Sequence, residues 1–147
     1  METIMTIPQI SVFLENKAGQ LADITGILSE NQVNMRAINI AETTDYGVLR
    51  LIVDDAAKAS SILLEQGFIL TMTPVVGVAV PDTPGGLSKV LGVISGAEID
   101  VEYMYSVFGQ KDGLACMIFR VADSDALTVV LEQNGISTIA GEDLGLH

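Results

Sequence analysis

Apolar and polar residues alternate at the start of the chain. In QISVFLE (Gln9–Glu15), Ile10, Val12 and Leu14 alternate with Gln9, Ser11 and Glu15, the two-residue period of a strand, and only Phe13 departs from it. From Gln20 the period changes. Leu21, Ile24, Ile27 and Leu28 recur at helical spacing, and Asn31-Gln32 ends that pattern. Two β-rich runs follow, VNMRAINIAE (Val33–Glu42) and VLRLIVD (Val48–Asp54), joined by TTDYG as a hairpin loop. A second helix carries Ala59, Ile62 and Leu63, with Asp54 or Asp55 as its cap and Gly67 as the glycine just past its end. FILTMT (Phe68–Thr73) reads as a closing strand.

The same order then returns. At an offset of 66, Val12 matches Val78, Gly19 matches Gly85, Leu21 matches Leu87 and Gly26 matches Gly92. Ser29/Ser95, Gly47/Gly113 and Ile52/Ile118 continue the register, which slips by one at LEQ (Leu64 against Leu131) and again at Gly67/Gly135. A period of this length exceeds the ~20–50 residues of solenoid repeats, so each copy is a small fold of its own. The second copy predicts strand Val75–Val80, helix Gly86–Ser95, strands Ile99–Phe108 and Leu114–Val121, helix Ser124–Asn134 and strand Ile136–Ala140. The fold class is α+β: two βαββαβ, ferredoxin-like units, each an antiparallel sheet with helices on one face. The expected domains are 1–73 and 74–147, with Pro74 as the break between them. Several strands, such as TPVVGVAV and LACMIF, are apolar on both faces, so the bare face or an edge should be covered by the other copy or by a second chain. A homodimer is expected on that ground.

Composition narrows the function classes. The net charge is −12, from 7 basic and 19 acidic residues, with no clustered positive charge to meet a nucleic-acid backbone or an anionic membrane surface. No apolar stretch approaches the ~20 residues of a membrane span, and METIMTIPQIS lacks the pattern of a signal peptide. Cys116 is the single cysteine, which excludes an internal disulfide and any multi-cysteine metal site, and a cytoplasmic protein is expected. Cys116 lies in an apolar strand and reads as a core residue rather than a nucleophile. His147, the single histidine, is the last residue and supplies no catalytic or metal centre. DSDA (Asp123–Ala126) suits a helix start and is too short for a calcium loop. Tyr103 and Tyr105 share one face of a strand, where they either pack or line a pocket. No cofactor is implied.

The candidate chemistry lies in the repeated glycine turns, ENKAGQL and PDTPGGL. In each, a strand ends, a glycine permits an unusual backbone angle, and a helix begins. The first N–H groups of a helix lack intrahelical partners and suit a carboxylate. Asn16 and Asp82, at the strand ends, can accept hydrogen bonds from an ammonium group. The pair of groups suits a zwitterion. The alternative is conformational, since strand-to-helix turns favour Gly, Asn, Asp and Pro without any ligand.

DTPGGLSKVLGVISGAEIDVEYMY resembles the signature of the ACT domain, the amino-acid-sensing module of many biosynthetic enzymes. ENKAGQLADITGILSENQVNMRAINI is similar to it again, with Ala18 where the family usually has Pro. The resemblance covers 10–73 and 75–140 and implies the ferredoxin-like fold, side-by-side pairing, and an amino acid bound between paired domains. It also implies the contact positions. On the turns these are Asn16, Lys17, Ala18, Gly19, Gln20 and Leu21, and Asp82, Thr83, Pro84, Gly85, Gly86 and Leu87. At the start of the second strand of each unit they are Asn34 and Met35, and Asp100 and Val101. The first set, with Arg36, is neutral to positive, whereas the second, with Glu102, is negative, so the two copies are not expected to be equivalent sites. With no room for a catalytic domain, the expectation is a stand-alone, non-enzymatic sensor, with a ligand-free assembly module as the alternative. Acylphosphatases, small enzymes with the same kind of fold, hold phosphate in this turn but need an arginine there, and neither turn has one.

Overall fold

The computed structural model describes residues 6–15, 19–42, 46–108 and 113–146. Its elements run β1 (Ile7–Glu15), α1 (Gln20–Glu30), β2 (Met35–Glu42), β3 (Tyr46–Val53), α2 (Ala56–Glu65), β4 (Ile69–Pro81), α3 (Gly86–Gly96), β5 (Tyr103–Ser106), β6 (Leu114–Arg120), α4 (Ser124–Gln133) and β7 (Thr138–Ile139), then a 3-10 turn at Gly141–Leu144. Two compact units result. The first holds Pro8–Thr73 and is joined by residues from Leu144 on; the second holds Pro74–Asp143 and is joined by Ile7.

In the first unit the strand order is β2-β3-β1-β4. β3 runs antiparallel to both neighbours, with Val12 opposite Leu49 and Ile38 opposite Leu51. In the second unit the order is β5-β6-β4, with β7 also on β4, again antiparallel, with Val78 opposite Met117 and Gly77 opposite Ile139. Numbered within each unit, both orders are the 2-3-1-4 arrangement of the ferredoxin-like fold expected above.

The period-2 and period-3.6 faces meet as predicted. Ile10 and Val12 of β1 and Leu49, Leu51 and Val53 of β3 pack against Ile24 and Leu28 of α1 and Ala59 and Leu63 of α2. The second core repeats this with Val76, Val78 and Phe119 beneath Val90, Ile94, Leu127 and Leu131. Each Val, Leu, Ile or Phe side chain among these contributes roughly 1.5–3 kcal/mol when fully buried. Gln9 and Ser11, the polar partners in the first alternation, are buried as well. They satisfy one another: Gln9 Nε2 donates to Ser11 Oγ at 3.0 Å, and Ser11 Oγ lies 3.4 Å from Thr73 Oγ1.

Four local expectations change. Pro74 does not interrupt the strand but lies inside β4. The β6 ladder begins only at Val76, so no β6 carbonyl waits for the N–H that proline lacks, and the Pro74 carbonyl accepts from Arg120 Nη1 at 2.9 Å. Tyr46 and Gly47, expected in the hairpin loop, belong to β3, while 43–45 lie outside the described residues. β5 covers only Tyr103–Ser106, because Glu98 takes a left-handed backbone (φ 59°) and Ile99 and Val101 are held by the core rather than by a ladder. β7 is two residues long, crossing β4 at Gly77, where an added Cβ would lie 2.9 Å from Ile7 Cδ1.

Candidate functional site

The four helices start in two ways. α2 and α4 are capped by aspartates: Asp55 accepts from the Lys58 N–H and Asp123 from the Ala126 N–H, each at 3.1 Å. Of the two residues expected to cap α2, Asp54 is instead tied to the start of β2, accepting from the Asn34 N–H at 3.0 Å while its own N–H donates to the Asn34 carbonyl at 2.9 Å. α1 and α3 start from Gly19 and Gly85, which have no side chain to offer as a cap. Their backbones coincide, with φ 85°, ψ −10° at Gly19 and φ 87°, ψ −8° at Gly85. This left-handed region suits glycine, and it aims the first turn of each helix, with its partial positive charge, past the end of the preceding strand.

Beyond the cap the two turns differ. In the second unit, Gly86 follows Gly85, and a Cβ there would stand 2.0 Å from the Pro81 carbonyl oxygen. The turn folds back on the end of β4, with Gly86 N–H donating to Thr83 O at 3.0 Å and Asp82 N–H to Gly113 O at 2.9 Å. Asp82, Thr83 and Pro84 are exposed, and Leu87 packs on the core. In the first unit Gln20 occupies the matching place. Its Oε1 is buried with no hydrogen-bond partner among the described residues. Leu21 packs on the first core. Asn16, Lys17 and Ala18 lie outside the described residues.

A cavity of about 410 Å³ lies beside this first turn. Its wall includes Phe13, Leu14 and Glu15 at the end of β1 and Gln20 at the start of α1. Tyr46 of β3 and the Gly67–Phe68–Ile69 segment after α2 complete it. Of the expected site residues that are described, only Gln20 contributes to this wall. Phe13, Tyr46 and Ile69 were not among the expected positions, although Phe13 gives a signal in the sequence by breaking the alternation of β1.

The positions expected at the second strands lie elsewhere in their units. Glu15 pairs with Tyr46 at one end of the β1–β3 ladder, whereas Met35 pairs with Val53 at the far end of β3. In the second unit Pro81 pairs with Leu114, and Tyr103, just past Asp100 and Val101, pairs with Arg120 at the other end of β6. No unit by itself joins its turn to its second-strand positions. Asn34 and Asp100 are exposed, while Met35 and Val101 pack against the cores. Arg36, in the bulge between Met35 and Ala37, has a buried Nε without a partner among the described residues.

The remaining candidates lie in the second unit. Burial pushes the Cys116 thiol up to about 11, which suppresses the thiolate a nucleophile needs. The rings of Tyr103 and Tyr105 stack at 6.4 Å. Arg120 lies 3.7 Å from Glu102. Among the described residues no group of three or more His, Cys, Asp or Glu could hold a metal ion, and no helix is long and apolar enough to cross a membrane.

The model of the ACT domain pair matches residues 5–146. The chain belongs to this family. This ACT pair is 38% identical to protein BT0572 from Bacteroides thetaiotaomicron, whose crystal structure superposes with a TM-score of 0.88 over 96% of each chain. The regulatory subunit of aspartate kinase from Thermus thermophilus, in its ligand-free form, is 17% identical with a TM-score of 0.61, over 88% of this chain and 93% of that one. The corresponding subunit from Thermus flavus is 14% identical with a TM-score of 0.56, over 88% and 92%. These two likenesses concern the fold. A comparison with curated proteins finds no match.

Proposed function

We propose that this ACT pair is a regulatory sensor that binds a free amino acid at its glycine turns and reports the amino acid's level to a partner protein. The observation that carries the reading is the split between helix starts. Two helices close their first turn with an aspartate, and the two at the repeated turns begin from a left-handed glycine instead. A ligand carboxylate is the group that such a partially positive terminus, without a side-chain cap, favours. The ammonium group falls to side-chain oxygens of the turns, with Asn16, Gln20 and Asp82 as candidates, and Lys17, Ala18, Thr83, Pro84 and Leu21 or Leu87 shape the approach. Asn34 and Met35, or Asp100 and Val101, join the site when another copy of the chain supplies them, a reading supported by their place at the far end of the ladder from their own turn. A cytoplasmic homodimer, with domains 1–73 and 74–147 and no catalytic role, fits this reading.

A thermal-shift screen of the full chain against the proteinogenic amino acids tests it. A ligand at 100 times its Kd stabilises the native state by about 2.7 kcal/mol. Titration calorimetry of Asn16→Ala and Asp82→Ala then tests the turns, with a loss of affinity expected in at least one. A flat screen leaves the module as an assembly device, and unchanged affinity in both variants removes the turn assignment.

A further inference from the structure

We propose that the cavity beside the first glycine turn is the side-chain subsite for a free amino acid with an apolar, branched or aromatic side chain. This rests on the preceding reading, that the turn receives the ligand's carboxylate and ammonium groups, and it adds which amino acids are selected and by which unit. The internal repeat acts as a control. At the offset of 66, Phe13 matches Ala79 and Gln20 matches Gly86; past the slip that pairs Gly67 with Gly135, Ile69 matches Ser137. The second unit builds the same strand order with Ala79, Gly86 and Ser137, so the fold does not require the larger side chains at these places.

Yet the first unit keeps them and leaves them open to solvent. Phe13 is 41% exposed, Tyr46 49% and Ile69 69%, all three around one cavity. Large apolar groups clustered in the open mark a binding surface more often than isolated ones do. The cavity volume of about 410 Å³ accommodates a single amino acid and falls within the ~300–1,000 Å³ usual for small-molecule sites. Among the described residues the lining includes no cation to meet an acidic side chain, and their one carboxylate there, Glu15, is already engaged. The net charge of −12 also works against an acidic ligand. Gln20, at the first position of α1, supplies the polar handle: its side chain lines the cavity, and its buried Oε1 has no partner among the described residues. In the second unit Gly86 has no side chain, and its backbone lies against the Pro81 carbonyl, so neither the handle nor the apolar wall is repeated.

The test is titration calorimetry of the full chain with L-phenylalanine, L-leucine, glycine and L-lysine. It compares the wild type with a Phe13→Ala/Ile69→Ser double variant, whose new residues are those the second unit already carries. Wild type is expected to bind L-phenylalanine or L-leucine at least ten-fold more tightly than glycine or L-lysine. The double variant should weaken the apolar ligand by on the order of ten-fold and leave glycine within about two-fold. If the double variant loses its circular-dichroism spectrum, Ile69→Ser alone is used, since that side chain is the most exposed of the three. Binding by wild type of all four amino acids with equal affinity, or tighter binding of L-lysine, overturns the subsite while the turn reading stands. Binding of none of them overturns the subsite, and the turn reading is then decided by the screen of all the proteinogenic amino acids. A variant that changes the mass in solution but not the affinity shows that these side chains meet a second copy of the chain, and the subsite falls.

Discussion

Helices α1 and α3 on one side, and α2 and α4 on the other, have similar lengths and pack on the same cores, but their ends are built differently. α2 and α4 start at Asp55 and Asp123, whose carboxylates accept from their first turns, and each ends with a left-handed glycine, Gly67 (φ 91°) or Gly135 (φ 71°). α1 and α3 reverse the choices. Glycine stands at the start, and the left-handed residue past the end is Gln32 or Glu98, both at φ 59°. The second helix of each unit therefore carries a capping carboxylate at its start and a glycine past its end, and the first helix carries neither. Stability was available at low cost and is not taken at the turns, which is where a ligand-binding reading places the chemistry. The two turns also differ from one another: the first opens on a cavity, and the second is closed against its own strand.

The largest expected effect separates the two turns. Gly86→Ala places a Cβ 2.0 Å from the Pro81 carbonyl, a backbone atom that cannot swing aside. Urea denaturation should show a loss at or beyond the top of the roughly 1–3 kcal/mol range for overpacking. Gly19→Ala meets nothing within 4 Å among the described residues and carries the penalty of its left-handed backbone, about 1–2 kcal/mol. Equal losses would remove the distinction between an open and a closed turn. Next, Asp55→Ala and Asp123→Ala should each cost about 1 kcal/mol by the same measurement, with amino-acid affinity unchanged. A loss of affinity there would show that the capped helices take part in binding. Smaller still, Gln32→Gly and Glu98→Gly should raise stability by about 0.5 kcal/mol, since relief of the left-handed strain outweighs the greater freedom of the unfolded chain.

The smallest expected effect concerns reactivity. With its thiol pushed up to about 11 by burial, Cys116 should be alkylated slowly at neutral pH in the native protein and rapidly in urea. Because the native state holds this proton more tightly than the unfolded one, stability should fall as pH rises from about 9 toward 11. Rapid native alkylation at pH 7 would show that β6 opens readily.

Much of this molecule is legible in its sequence. The repeat, the two unit folds and the helices follow from local periodicity, and the glycine turns follow from the one residue type that takes a positive φ without strain. The points that local pattern misses involve distant partners. Whether Asp54 or Asp55 caps α2 depends on Asn34, which lies far back along the chain and claims Asp54. Whether Pro74 breaks a strand depends on where the β6 ladder begins. The cavity leaves little trace in the sequence because its wall is gathered from β1, α1, β3 and the end of α2, and only Phe13 disturbs a local pattern.

The sequence by itself determined that one small α/β fold is used twice, and that each copy makes a glycine-led strand-to-helix turn. Period and backbone freedom are properties of neighbouring residues, and a chain carries them wherever it goes. Only the tertiary structure decided how these turns, already unlike in charge, differ in packing. Packing sets Gly86 against the carbonyl of Pro81, and folding brings Tyr46 and Ile69 to Phe13 and Gln20. Those are distances between residues remote in sequence, which no local pattern encodes.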